Sequence, residues 1–271
     1  MVNGYKPASL KEAVAIRAAE KVIPYAGGTD LMVQNPKDAV YLFLNDIEEL
    51  RAITDDGEYI RIGAAVTFTQ AIASDLVPQL MKEAVSRIAA PAIRNAGTFG
   101  GNLGNGSDKA DSVLAGFALD AKVRLVSASG ERVIPFDDFC VRRGVTNLKD
   151  DELIAEILLP KEKCALPYYY HKIGGRSALA ISRVALAGVY DTENGVIRSI
   201  SLTVIGEGKF TRYRDAEEKL VGKTVSEICE NADKYVGLFI EKMTFTRGRV
   251  SAEYRKTVVS NLIKDYFASL K

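Results

Sequence analysis

The chain has 271 residues, of which 47% are hydrophobic and 26% charged, and its 36 basic and 35 acidic side chains leave a formal net charge of +1. This is the composition of a globular protein with enough apolar material for one large core or two smaller ones. The balance of charge gives no electrostatic reason to expect nucleic acid or an anionic membrane as a partner. No apolar run reaches membrane-spanning length and no secretory signal opens the sequence, so we expect a cytoplasmic protein without a membrane span.

The side chains of the common catalytic sites are scarce. Cys140, Cys164 and Cys229 lie far apart, without the close spacing that holds zinc or an iron–sulfur cluster. With a single histidine, His171, a histidine-based metal site or a Ser–His–Asp triad is hard to build. We expect free thiols and a structural or exposed His171. Any redox chemistry must then come from a bound organic cofactor.

The first fifty residues predict a small α/β unit. Ser9 and Glu12 form a capping box at the start of a helix. A strand at 21–26 then runs into a glycine turn, and a second strand follows at 40–44. Pro24 cannot donate a ladder hydrogen bond, so the first strand is expected at a sheet edge or with an irregular start.

The next hundred residues mix strands and helices. Thr67 and Gln70 form a second capping box after a strand. A later helix, at 79–89, is expected to stop before Pro91. A segment dense in glycine and asparagine then leads into an apolar helix. The predicted elements are a strand at 59–64, a helix at 79–89, a helix at 111–119 and strands at 122–126 and 153–159.

The pattern changes after Pro160 and Pro167. Long alternating runs predict an antiparallel meander, and Asn194-Gly195 is a favourable hairpin turn between its last two strands. From residue 213 onward the spacing is helical throughout. We place a domain boundary near Pro167. The three runs cover residues 168–173, 183–190 and 196–204.

The turn Gly27-Gly28-Thr29-Asp30 is the first candidate binding segment. Without Cβ atoms in the way, consecutive backbone N–H groups can point at one anion. Thr29 adds a hydroxyl, and Asp30 is expected to cap the helix that follows. By itself, this turn is also compatible with a tight strand-to-helix connection that binds nothing.

The segment 96–106 is the second candidate, with five glycines and two asparagines in eleven residues. Fixing such a segment costs a large conformational entropy, and it lies between two apolar helical regions. We therefore expect it to line a pocket where backbone and asparagine amides bind phosphates and sugar hydroxyls, rather than to form a flexible surface loop. Neither candidate has the Gly-Lys-Ser/Thr of a P-loop or the usual setting of a Rossmann turn.

The segment 170–176 is the third candidate. Lys172 and Arg176 place two cations after an aromatic strand. A lysine there could stabilise negative charge on a reduced flavin through a charge-assisted hydrogen bond. A solvated basic turn explains the same residues equally well.

Together these segments resemble the FAD-binding subunits of the xanthine dehydrogenase and carbon monoxide dehydrogenase type. Order and spacing agree over nearly the whole chain. The stretch 176–182 is most similar to the flavin subunits of anaerobic nicotinate and purine hydroxylases. The matching motifs are Ala-Gly-Gly-Thr-Asp-Leu at 26–31, Ile-Arg-Asn at 93–95, Thr-Phe-Gly-Gly-Asn at 98–102, Asp111, Asp-Glu-Leu-Ile at 151–154, Tyr-His-Lys at 170–172 and Arg176.

The resemblance implies an α+β fold. A two-part α/β FAD-binding domain of the vanillyl-alcohol-oxidase (PCMH-like) type would occupy residues 1–167, with subparts at 1–56 and 57–167. A smaller domain with a three-stranded antiparallel sheet and helices would follow at 168–271. The residues implied to bind FAD are Pro24, Tyr25, Ala26, Gly27, Gly28, Thr29, Asp30, Leu31, Thr98, Phe99, Gly100, Gly101, Asn102, Asp111, Ile154 and Lys172.

The resemblance also implies roles and partners. The two glycine segments would hold the FAD pyrophosphate and ribityl chain, while Asp111, Ile154 and Lys172 would lie near the flavin ring. FAD would be non-covalent, because the only histidine lies outside both glycine segments. Molybdopterin and 2Fe–2S clusters would sit on a molybdenum-cofactor subunit and an iron–sulfur subunit. Electrons from the hydroxylation of a purine or similar N-heterocycle would pass through the flavin to NAD or another acceptor.

Two departures from the family pattern affect local contacts. Phe99 stands where the family usually has isoleucine or valine, and Gly106-Ser107-Asp108-Lys109 replaces a common Ala-Ser-Pro. Two other functions remain open at this point. One is a stand-alone FAD-dependent oxidase or dehydrogenase with its own small-molecule substrate, and the other is a non-enzymatic assembly module that has lost FAD.

Overall fold

The computed structural model describes residues 3–176 and 179–271. Ser177 and Ala178 lie outside the described residues, together with the part of the 176–182 resemblance that rests on them. Within the described ranges, no helix combines the length and apolarity needed to cross a bilayer. No group of three or more His, Cys, Asp or Glu side chains there is arranged to hold a metal ion.

The first unit is a three-stranded parallel sheet with one long and one short helix. Its central strand pairs with the other two, so the strand that contains Pro24 lies at an edge, as predicted. Ser9 caps the long helix by accepting from the N–H of Glu12 at 3.2 Å, but the Glu12 carboxylate accepts from Ala8 rather than Ser9. In chain order the elements are β1 (Gly4–Tyr5), α1 (Leu10–Ala19), β2 (Ile23–Tyr25), α2 (Leu31–Gln34) and β3 (Tyr41–Phe43).

The second unit is a five-stranded antiparallel sheet covered by helices. Its elements are β4 (Ile53–Asp55), β5 (Tyr59–Gly63), α3 (Phe68–Ala73), α4 (Gln79–Ser86), α5 (Pro91–Ala96), α6 (Phe99–Gly104), α7 (Asp111–Ala118), β6 (Lys122–Ser127), β7 (Gly130–Pro135), α8 (Phe136–Phe139), β8 (Cys140–Arg142), β9 (Val145–Thr146), β10 (Leu153–Pro160) and α9 (Lys161–Cys164). The strand order is β4-β5-β10-β6-β7, and β8 and β9 form a separate short hairpin.

Several predicted elements of this unit are confirmed, with one difference at Pro91. The capping box of Thr67 and Gln70 opens α3 with both hydrogen bonds present. The helix before Pro91, α4, already ends at Ser86, and Pro91 is the first residue of the next helix, α5. Proline fits the first position of a helix because its missing N–H would have no intrahelical acceptor there. The glycine segment is largely helical, since it contains α6.

The third unit confirms the predicted meander, and helices cover one face of its sheet. The strands pair in the order β11-β12-β13, and Asn194 and Gly195 have φ values of 52° and 74°, as a tight hairpin turn requires. The elements are β11 (Tyr168–Ile173), β12 (Val184–Glu193), β13 (Val196–Ile205), α10 (Arg214–Glu218), α11 (Val225–Glu230), α12 (Ala232–Ile240) and α13 (Ala252–Ser269).

Both faces of this last sheet are buried. Along β12, Ala185, Ala187 and Val189 pack into the core of the first two units, while Val184 and Leu186 pack against the C-terminal helices. Successive strand residues point to opposite faces, which is how one strand serves two cores. The three cysteines are free, and His171 is exposed beside Tyr169.

Arg212 fastens the C-terminal unit to the second unit. Its guanidinium is only 3% exposed and bonds to Asp120 at 2.9 Å and Glu217 at 2.7 Å. It also donates to the carbonyl of Phe117 at 2.9 Å, at the end of α7. The end of α7 is therefore tied to the C-terminal unit.

Candidate functional site

A cavity of about 300 Å³ lies between the first and second units. Its walls are the turn 26–31, the helix α6 and the start of β10 at Ile154. This volume is at the lower end of the range for small-molecule sites. Two of the segments that the sequence singled out therefore face each other across one space.

The turn 26–31 offers a row of backbone donors. Among the described residues, none accepts a hydrogen bond from the N–H groups of residues 27–31. A Cβ on Gly27 would lie 1.8 Å from the carbonyl oxygen of Ala96, so the turn packs directly on the end of α5. Gly28 has a φ of +67°, and a Cβ there would meet the ring of Tyr25. Glycine is thus required by packing, and the donors remain available to a ligand.

The helix α6 contributes shape rather than free donors. Thr98 caps it by accepting from the N–H of Gly101 at 3.1 Å. The N–H groups of Phe99, Gly100 and Asn102 are likewise bonded to protein carbonyls, at 2.8–3.1 Å. Four of the five backbone N–H groups at 98–102 are thus already engaged by capping and by carbonyls next to β5, and only the N–H of Thr98 has no acceptor among the described residues. That these backbone groups wrap a ligand stays a prediction.

The glycines of α6 have two different functions. A Cβ on Gly100 would lie 2.6 Å from the Cβ of Ala64, so this glycine allows the helix to lie against the end of β5. Gly100 also lines the cavity, as do Gly101 and Gly104, which make no such close contact with β5. A Cβ on Gly101 would approach only Thr98 Oγ1, at 3.0 Å, and one on Gly104 would lie 3.3 Å from Ile154 Cδ1. Side chains at these two positions would reduce the space for a ligand.

Three of the polar residues that line the cavity make hydrogen bonds between side chains. Asn102 Oδ1 accepts from Ser112 Oγ at 2.7 Å. Asn105 Nδ2 donates to Asp30 Oδ2 at 2.9 Å, which joins the end of α6 to the turn. The prediction that Asp30 caps the following helix is wrong, since its side chain makes no capping bond to α2.

The strand β10 presents Ile154 beside a bulge. Its pairing with β6 shifts register between Ile154 and Glu156, which leaves Ala155 as the extra residue. The carbonyl of Ala155 instead accepts from the N–H of Ala64 at 2.9 Å. Bulges redirect neighbouring side chains. This one lies next to the cavity wall.

Tyr25 and Phe99 lie behind the lining. The Tyr25 ring packs edge-on against Phe43, with centroids 5.0 Å apart, and supports Gly28 from below. Phe99 is 2% exposed and packs against Phe68, which does line the cavity. Phe99, where this chain departs from the family pattern, therefore contacts the cavity lining only indirectly, by packing against Phe68.

Asp111 and Lys172 are brought together, but outside the cavity lining. They form an ion pair of 2.7 Å, and each side chain is 5% exposed. Burial raises the pKa of Asp111 above its ordinary value, and Lys172, Ser182 and Tyr170 oppose that rise. Burial and the nearby Asp111 carboxylate strongly raise the pKa of Tyr170, so its phenol stays neutral.

Most of the predicted binding residues line the cavity. Those that do are Pro24, Ala26, Gly27, Gly28, Thr29, Asp30, Leu31, Thr98, Gly100, Gly101, Asn102 and Ile154; those that do not are Tyr25, Phe99, Asp111 and Lys172. The lining also includes residues that were not among those implied to bind FAD, namely Ile23, Gln34, Leu44, Leu50, Ala64, Ala65, Phe68, Gly97, Gly104, Asn105, Leu148 and Leu153. Of these, Gly97, Gly104 and Asn105 belong to the glycine segment already noted, and Leu153 belongs to the motif at 151–154. The others carry no distinctive signal.

Comparison with known families covers nearly the whole chain. Residues 1–162 match the family described as the FAD binding domain in molybdopterin dehydrogenase, and residues 169–270 match the CO dehydrogenase flavoprotein C-terminal domain. The chain belongs to the FAD-binding subunits of molybdopterin dehydrogenases. It is thus an FAD-dependent oxidoreductase subunit, and both the resemblance drawn from the sequence and the α+β fold are confirmed.

Individual relatives of this FAD-binding subunit agree. It is 29% identical to the nicotinate dehydrogenase FAD-subunit of Eubacterium barkeri, over 98% of this chain and 95% of the relative. It is 33% identical to the xanthine dehydrogenase FAD-binding subunit of Escherichia coli O157:H7, over 73% and 71%. A solved carbon monoxide dehydrogenase from Hydrogenophaga pseudoflava superposes with a TM-score of 0.90 at 25% identity, covering 99% of this chain and 96% of that one.

The cavity fits part of an FAD molecule. The row of N–H groups without acceptors at 27–31 suits a pyrophosphate, and Gly101 and Gly104 leave open the space that side chains would fill. The apolar Ile154 lies on the wall of the same cavity. The FAD-binding subunit therefore has a site suited to its family's cofactor.

Proposed function

We propose that this FAD-binding subunit holds FAD non-covalently in the cavity between the turn 26–31 and α6. In this role it relays electrons from an iron–sulfur subunit to NAD or another acceptor. Bound FAD supplies the capacity to take up and release electrons in one- or two-electron steps. The observation that carries the proposal is the row of five backbone N–H groups at 27–31 on the wall of the cavity. None of them donates a hydrogen bond to another described residue.

The turn is proposed to bind the pyrophosphate. An anion close to several backbone donors gains charge-assisted hydrogen bonds without the cost of moving side chains. The backbone N–H groups of 99–102 are already engaged, so α6 is proposed to contact the ligand through its glycine surface and through Asn102. The turn 26–31 is thus proposed to bind the anion, and α6 is proposed to form the wall that fits the rest of the ligand.

Ile154 is proposed to lie beside the flavin ring. Asp111 and Lys172 are proposed to act on the flavin as one buried ion pair, held by Tyr170 and Ser182, rather than as two separate ligands. The charge of the pair as a whole is close to zero, so its dipole and the Lys172 ammonium would adjust the flavin's electrostatic surroundings. No cysteine or histidine is among the residues lining the cavity, which supports non-covalent binding.

The substrate chemistry is proposed to lie on a molybdenum-cofactor subunit, with 2Fe–2S clusters on a third chain. The relatives' names, nicotinate and xanthine dehydrogenase, support an N-heterocyclic substrate such as a purine or nicotinate. We further propose a cytoplasmic location. We also propose a division of the chain into residues 1–167, with subparts 1–56 and 57–167, and residues 168–271.

The test is an absorption spectrum of the purified chain, with mass analysis of the compound that acid releases. We expect a flavin spectrum, intact FAD, and no bleaching by purine or nicotinate added alone. Bleaching by either substrate would instead support a stand-alone dehydrogenase. A colourless chain that takes up no added FAD would contradict the proposal and favour an assembly module.

A further inference from the structure

We propose that Asn105 is a positioning residue that holds the Asp30 carboxylate away from the turn 27–31 and so keeps that turn open to an anionic ligand. The inference rests on the proposed FAD site and adds a residue that controls access to its donors. Asn105 lines the cavity, and its Nδ2 lies 2.9 Å from Asp30 Oδ2.

The reason lies in the chemistry of the turn itself. Asp30 is the one carboxylate within a turn whose N–H groups at 27–31 have no acceptor among the described residues. Short acidic side chains readily accept from N–H groups a few residues away in their own turn. A carboxylate tethered in the same turn would be an intramolecular competitor for any bound phosphate, and its negative charge would also repel that phosphate.

The structure shows where the competitor is held. Asp30 makes no capping bond to α2, and its carboxylate accepts the amide of Asn105 at the end of the opposite wall. Asn105 follows α6 directly, and α6 is fixed by the bond of Gly100 N–H to the carbonyl of Ala64 at 2.8 Å. The amide is therefore presented from a fixed element, and the carboxylate that it binds accepts from none of the N–H groups at 27–31 among the described residues.

Asn105→Ala should release the carboxylate and raise the Kd for FAD about tenfold, the size expected when one hydrogen bond to a charged group is lost. The decisive variant is Asn105→Ala combined with Asp30→Ala. If the released carboxylate competes with the pyrophosphate, removing it should restore most of the lost affinity, so the two changes will be strongly non-additive.

A merely structural bond predicts the opposite. If Asn105 and Asp30 only tie α6 to the turn, Asp30→Ala alone should weaken FAD binding as much as Asn105→Ala does. That result, or a double variant that binds no better than Asn105→Ala, overturns the inference. The control is Asn45→Ala, since Asn45 forms a comparable exposed bond to Asp46, at 3.0 Å, outside the cavity lining. Its Kd for FAD should stay within about twofold of wild type.

The measurement is FAD titration of the full chain, followed by flavin fluorescence. Failure of the wild-type chain to bind FAD would contradict the proposed function itself. Normal wild-type binding with an unaffected Asn105→Ala variant would contradict only this inference.

Discussion

Lys172 Nζ lies 2.7 Å from Asp111 Oδ2, and this pair joins the first strand of the C-terminal sheet to the start of α7. Each member of the ion pair also makes a hydrogen bond to another residue. Ser182 Oγ donates to Asp111 at 2.6 Å, and Lys172 also donates to the carbonyl of Arg87 at 2.8 Å. Buried charges are tolerated when they are paired and hydrogen-bonded in this way.

Lys172→Met should destabilise the protein by about 3–5 kcal/mol at neutral pH, because it leaves the Asp111 carboxylate buried without its counter-ion. Burial raises the pKa of Asp111 from its ordinary value of 3.8, and Lys172 is the main group opposing that rise. The folded variant therefore favours protonated Asp111 more strongly than the unfolded chain does. Its stability should fall as the pH rises from about 4 toward the raised pKa, and level off above it. Denaturant unfolding at several pH values measures this.

The control for that experiment is Lys172→Met combined with Asp111→Asn. It removes both charges and should be less destabilised than the single variant, with a weaker dependence on pH. A single variant whose loss of stability does not change with pH would mean that Asp111 is not the group left unpaired.

Lys172→Met should also lower the flavin reduction potential in the FAD-loaded chain. Loss of a cation near the ring disfavours the added negative charge of reduced flavin. A shift on the order of 30 mV corresponds to a tenfold change in a two-electron equilibrium. The potential is measured by titration against a reference dye. An unchanged potential would place Lys172 too far from the flavin to act on it.

Gly101→Val should remove FAD while leaving the fold intact. The added Cβ would meet only Thr98 Oγ1 at 3.0 Å, so the rest of the side chain would extend into the cavity that Gly101 lines. Replacing a helical glycine removes its entropic penalty, so the variant should melt no lower than wild type from which FAD has been removed. FAD content and melting temperature are measured on the same sample.

Gly237→Ala provides the matched control for Gly101. It also lies in a helix, α12, where a Cβ would have only Glu241 nearby, at 3.7 Å, and it is not among the residues lining the cavity. It should keep FAD fully. Full flavin occupancy in Gly101→Val would show that the ligand does not occupy this part of the cavity.

Arg212→Met should cost about 3–5 kcal/mol of stability, since it leaves the buried Glu217 carboxylate without its cation. Arg214 offers a comparison in the same region: it is 51% exposed and also pairs with Asp120, at 3.0 Å. Exposed ion pairs contribute little, so Arg214→Met should cost less than about 1 kcal/mol. Equal losses in the two variants would contradict the conclusion that burial makes the ion pairs of Arg212 stronger than those of Arg214.

Local sequence signals predicted much of the structure. The turn 26–31 and the segment that forms α6 could be recognised because glycine clusters mark close backbone approach. The meander could be recognised because alternation and Asn194-Gly195 are local patterns. The short edge strands β4 and β7 were not predicted, since they are mostly exposed and carry little alternation.

Long-range contacts were beyond the sequence. Lys172 is 61 residues from Asp111, and no local pattern indicates that the two side chains neutralise each other instead of both facing a ligand. The wall residues Leu44, Leu50 and Leu148 resemble any core leucine. The engagement of the 98–102 donors depends on Val66 and Ala64, whose carbonyls approach only in the folded chain.

The sheet β11–β13 determines how the chain is expected to respond to truncation, heating and proteolysis. Since Ala185 and Ala187 face one core and Val184 and Leu186 face the other, cutting the chain near residue 167 would expose an apolar surface on both fragments. The two sequence regions that match separate family models are therefore expected to melt in a single cooperative transition and to resist proteolysis at their junction. Expressed apart, each fragment would be prone to aggregate.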